Sequence, residues 1–147
     1  MIIVALMAGD TDARRGILKD LIDRYKSRVC PVSVGYLPTV KSRLSRLSTE
    51  LTTSRGCRRI YVVMDVKSPE EVALLRKKGA FFVHVYGDMR GPAYSHTAMQ
   101  RTDLYIQPIP FRGVFPDHVM SPEDAIEECL HRFRCAKAPK NPRPRTA

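Results

Sequence analysis

The chain has no apolar run long enough to cross a bilayer, so no membrane role is expected. It has no Cys-x-x-Cys pair. None of its four cysteines (Cys30, Cys57, Cys129, Cys135) stands at zinc-type spacing from the four histidines. Together these absences point to a reduced, cytoplasmic chain without a metal centre, with paired disulfides as the minor alternative. Residues 1–7 are apolar but few, and they lack the basic leader and cleavage pattern of a signal peptide. No internal repeat appears, and no linker precedes residue 136. No aromatic platform accompanies the basic stretches, which argues against single-strand recognition by base stacking.

What is present is a chain of 147 residues, 44% hydrophobic, with a net charge of +10. That size suits one domain with one sizeable core, here residues 1–135. In residues 136–147, Lys137, Lys140, Arg143 and Arg145 alternate with Pro139, Pro142 and Pro144. Such a stretch buries too little apolar surface to offset chain entropy, so it reads as a disordered basic Pro-rich tail. The tail is either a solubilising segment or a contact for nucleic acid or an acidic partner.

Strand and helix patterns alternate along the chain. Residues 2–6 are continuously apolar, as in a strand buried on both faces. Residues 9–12 are turn-forming and offer N-cap candidates; Ile17, Leu18, Leu21, Ile22 and Tyr25 then recur with helical period. A second strand is predicted over 32–36, after Pro31. A helix follows through Val40, Leu44, Leu47 and Leu51, with Lys41, Arg43 and Arg46 as its basic outer face. Residues 54–56 break it.

Residues 60–64 read as another buried strand, ending at Asp65. Ser68, Pro69 and Glu71 then form a helix start with N-cap, first-position proline and capping box, and Gly79 is its expected C-cap. Residues 80–86 return as a strand, and the unit demands a right-handed parallel crossover. A short helix is predicted over 94–101 and an edge strand over 104–106. Ser121 and Pro122 start a final helix that buries Ile126, Cys129, Leu130 and Phe133. His84, in an apolar strand, is expected to be structural rather than a base.

Two stretches carry a resemblance. The first is the strand–turn–helix of residues 2–18. The second is residues 62–85, VVMDVKSPEEVALLRKKGAFFVHV, with Asp65, Val66, Lys67, Pro69 and Glu71 at its characteristic positions. This segment is similar to the phage-type deoxynucleoside monophosphate kinases, whose strand commonly ends in Asp-Val-Arg before Pro and Asn-Glu. His96 and Asp103 before Leu104 are weak echoes of a later family segment. The resemblance implies a P-loop nucleotide-kinase-like three-layer α/β sandwich, with five parallel strands in the order 2-3-1-4-5. By that resemblance Asp65 sits near the phosphates and metal, and Lys67 meets a substrate phosphate. Beside it, Gly9, Arg14 and Arg15 could bind an anion at the helix start, and Arg90 could act as a lid arginine. The alternatives are a turn cap for Asp65, loop positions for Lys67 and Arg90, and plain surface charge for Arg14 and Arg15.

The departures are equally specific. A phosphate loop reads G-x-x-x-x-G-K-[ST]: glycines turn amides inward, lysine neutralises the phosphoryl group, and the hydroxyl holds magnesium. From Gly9 this chain reads Gly-Asp-Thr-Asp-Ala-Arg-Arg-Gly. Arg14 stands at the second glycine, Arg15 at the lysine and Gly16 at the hydroxyl. Asp10 and Asp12 add negative charge where a polyphosphate would lie. Residues 36–59 hold one predicted helix, too little for a complete substrate lid.

Two functions follow. One is a catalytically defective, phage-encoded kinase-like pseudoenzyme that binds a host protein or a nucleotide. The other is an active, atypical kinase using Arg15 for lysine, with ATP and with magnesium held by Asp10, Asp12 or Asp65. Nucleic-acid binding through the tail and residues 41–46 is a third, weaker reading.

Overall fold

The computed structural model describes residues 2–51, 58–87, 99–108 and 114–137. Among them, the elements in chain order are β1 (Ile2–Met7), α1 (Thr11–Tyr25), a 3-10 turn (Lys26–Arg28), β2 (Val29–Val32), α2 (Val40–Glu50), β3 (Ile60–Val63), α3 (Pro69–Lys77), β4 (Phe81–Val85), β5 (Leu104–Ile106), β6 (Val119–Met120) and α4 (Pro122–Lys137). All strands join one parallel sheet in the order β2-β3-β1-β4-β5-β6.

The five-stranded expectation is thereby corrected. A sixth strand, β6, lies outside β5, so Leu104–Ile106 is an interior strand and not the edge. β6 has two residues and sits in a proline-rich stretch, so it has no period of its own to read. The second strand also begins earlier than its pattern suggested. It runs Val29–Val32 with Pro31 inside it, and residues 33–39 form the turn that follows. An edge strand accepts a proline there because one side of its ladder is unpaired. Of the helix predicted over 94–101, residues 94–98 lie outside the described residues and 99–101 are not helical.

All six residues of β1 are buried, and the strand divides the core by side-chain alternation. Ile2, Val4 and Leu6 face α1 (Ile17, Leu21) and α4 (Ala125, Ile126, Cys129). Ile3, Ala5 and Met7 face Leu47 of α2 and Val72 and Leu75 of α3. Burial pushes the Cys129 thiol up to about 12, the behaviour of a small core hydrophobe.

The helix ends follow the local chemistry. Asp10 caps α1 by accepting from the Ala13 amide. Ser68 and Glu71 close a capping box on α3, and Gly79, at φ +77°, follows its C-cap. Ser121 accepts from the Asp124 amide at the start of α4, which continues through Ala136 and Lys137. Residues 138–147 and 54–56 lie outside the described residues.

Candidate functional site at the carboxyl edge of the sheet

β1 and β3 are neighbours, but their connections leave to opposite faces. α1 packs on one side of the sheet and α3 on the other. Such a divergence marks a crevice position at the carboxyl ends of the two strands, the place where open parallel sheets bind ligands. The turn after β1 and the segment after β3 line it.

In the first turn, Ala8 and Gly9 both have positive φ (61° and 68°). Gly9 is needed there twice over: a Cβ would lie 3.0 Å from Val85 Cγ1 in a backbone region that L residues rarely adopt. Arg14, one turn into α1, folds back and donates through Nη1 to the Ala8 and Gly9 carbonyls, at 3.1 and 2.7 Å. Its Nη2 reaches Asp65 Oδ1 at 3.4 Å. Arg14 Nε is buried with no partner among the described residues. At the head of α1 the Ala13 amide is bonded to the Asp10 carboxylate. A carbonyl-lined, carboxylate-bearing pocket selects a cation, and the chain's own guanidinium fills it.

Asp65 also accepts from the Ser33 hydroxyl, and Lys67 donates through Nζ to the Gly35 carbonyl at 2.8 Å. Gly35 is packed so closely that a Cβ would lie 2.8 Å from Asp65 Cβ and 3.1 Å from Lys67 Cε. Gly35→Ala should therefore push Asp65 off Arg14 and Ser33. The expected cost is about 1–3 kcal/mol, read as a lower urea midpoint. A midpoint equal to wild type would show that the crevice yields freely.

Of the residues singled out by sequence, the structure thus brings Gly9, Arg14, Asp65 and Lys67 to one edge. Arg15 is exposed and makes no ion pair with Asp65 among the described residues. Arg90 and His96 lie outside the described residues. The basic outer face of α2 is corrected. Lys41 and Arg46 are exposed, but Arg43 turns inward, with Nε on Glu71 Oε1 and Nη1 on the Leu37 carbonyl at 3.0 Å. Glu71 is fully buried and also accepts from the Lys67 and Ser68 amides. This pair was readable in part. Arg43 stands three residues after Val40 and four before Leu47, on the apolar stripe itself.

No protein-family model, characterised protein or solved structure matches the chain. The chemistry of the site itself therefore carries the functional reading.

A second polar group sits deeper in the sheet. Asp103 is bidentate with Arg76 (2.6 and 2.8 Å) and accepts from the Gln100 amide. His84 Nε2 lies 2.9 Å from Asp103 Oδ2, and the guanidinium stacks 3.9 Å from the Phe82 ring centroid. Burial alone would raise the Asp103 carboxyl. The hydrogen bonds from Arg76, His84 and the Gln100 amide outweigh it and hold the group well below the usual carboxylate range. His84, buried in β4, is thus held by Asp103. Among the described residues no group of three or more metal-ligating side chains converges.

Proposed function

We propose that the chain is a non-catalytic binding module of nucleotide-kinase-like build, with a nucleotide or a host protein as its partner. The single observation that carries this reading is the Arg14 guanidinium seated on the Ala8 and Gly9 carbonyls and on Asp65. Phosphoryl transfer depends on donors aimed at the developing charge. At this turn two carbonyl oxygens face inward to the Arg14 guanidinium, which is committed to them and to Asp65. A phage source follows only from the family resemblance.

A second reading, an atypical active kinase with ATP and magnesium, draws support from Asp65, Ser33 and Lys67 sharing the carboxyl edge. The two readings part in one experiment. Mg-ATP is titrated to millimolar concentration by calorimetry, and transfer to each deoxynucleoside monophosphate is assayed. No turnover is expected, in wild type or in Asp65→Ala. Turnover in wild type that disappears in Asp65→Ala would establish the kinase.

A further inference from the structure

All described strands are parallel, so their starts lie along one edge, opposite Asp65 and the turn after β1. Cationic residues precede four of the six starts, with Asp103 before β5 and Asp117 before β6. Lys26 and Arg28 lead into β2, Arg58 and Arg59 into β3, Lys77 and Lys78 into β4, and Arg101 into β5. Arg28 Nε donates to the Arg58 carbonyl at 3.1 Å, which joins the first two groups directly. Arg132, in the second half of α4, donates to the Thr102 carbonyl at 2.7 Å and so stands beside the start of β5. A cleft of about 290 Å³ opens between Arg76 and Arg132. Acids lie there too. Glu128 is paired with Arg132, Glu50 with Arg46 and Asp103 with Arg76, and Glu127 accepts from Tyr25 just before Lys26.

Helix ends favour cations, which accounts for Lys26, Lys77 and Lys78. It does not account for Arg58, Arg59 or Arg101, which precede strands with no helix ending beside them among the described residues. The row runs from β2 to β5, about 19 Å at ordinary strand spacing. That length suits an extended polyanion better than a single phosphate, covering about five or six phosphates of one duplex strand. Four of the exposed cations are arginines, the side chain matched to phosphate by its planar fork of donors. The sequence beyond α4 adds Lys140, Arg143 and Arg145 to the same charge.

We propose that this amino edge, and not the crevice, docks the phosphate backbone of nucleic acid without reading its bases. The test is fluorescence anisotropy of the full chain with a labelled duplex and a single strand of equal length, each over a salt series. The triple variant R58Q/K77Q/K78Q changes exposed side chains that make no hydrogen bond or ion pair among the described residues. It should keep the wild-type circular dichroism and lower the duplex salt slope by about 0.9 for each phosphate no longer neutralised. The control variant R15Q/K41Q, at the opposite edge, should leave the slope unchanged. Three results would overturn the proposal: no duplex or single-strand binding at 50 mM salt, equal losses in the two variants, or full competition by anionic vesicles at lower charge concentration than DNA. Loss in a chain neutralised only at Lys140, Arg143 and Arg145, with the triple variant binding like wild type, would move the docking site to the tail and equally reject the edge.

Discussion

Replacing Arg43 by alanine should cost about 3–5 kcal/mol of folding stability, the expected penalty for leaving a buried charge without its partner. The reason is Glu71, which is 0% exposed and takes hydrogen bonds from Arg43 and from two backbone amides. Without Arg43 the carboxylate keeps its two backbone amides but loses its counter-charge. Glu71→Gln should cost less, about 1–3 kcal/mol, because the amide keeps the shape and one acceptor oxygen. The double variant R43A/E71Q should then fall short of the sum of the two single losses, the signature of direct coupling. Urea unfolding of all four proteins gives the cycle. A loss below about 1 kcal/mol in Arg43→Ala would mean that the pair behaves as a surface ion pair.

The second large effect is expected at Asp103. Its carboxylate ties α3 through Arg76, β4 through His84, and the turn before β5 through the Gln100 amide. Asp103→Ala should cost about 3–5 kcal/mol near neutral pH, since it leaves a mostly buried guanidinium without a counter-charge. The effect has a pH signature. The folded-state pKa lies below the unfolded value of about 3.9, so the stabilisation is fully present above that value. It is lost as the pH falls through the lower folded value, when the native carboxylate finally protonates. The gap between wild type and variant should therefore be constant from pH 7 to 5 and shrink below about pH 4. Unfolding curves at pH 7, 5 and 3 decide the matter; a gap that persists unchanged at pH 3 would refute the linkage.

Much of the fold could be read directly. The apolar run at the start of the chain is buried along its whole length, because a central parallel strand has two dry faces. The Ser68–Pro69–Glu71 start is a real capping box, since those interactions are local and need no tertiary partner. The carboxyl-edge position of Asp65 follows from strand direction alone. What escaped reading is long-range. Arg43 and Glu71 are 28 residues apart, and Arg14 and Asp65 are 51 apart. No period links such positions. The fold-back of Arg14 onto its own turn depends on two successive residues with positive φ, one of them an alanine that no turn rule singles out. Pro31 misled for a similar reason. A proline argues against a central strand, and only the sheet order reveals that β2 lies at a margin.

That margin has a consequence for how copies of this chain meet. A parallel sheet exposes two flanks of unpaired backbone, and a long flat flank recruits strands from neighbouring molecules. Here β2 interrupts its flank with a residue that has no amide hydrogen, and β6 ends its own after two residues. Among the described residues neither side offers a run of free amides on which aggregation could be templated.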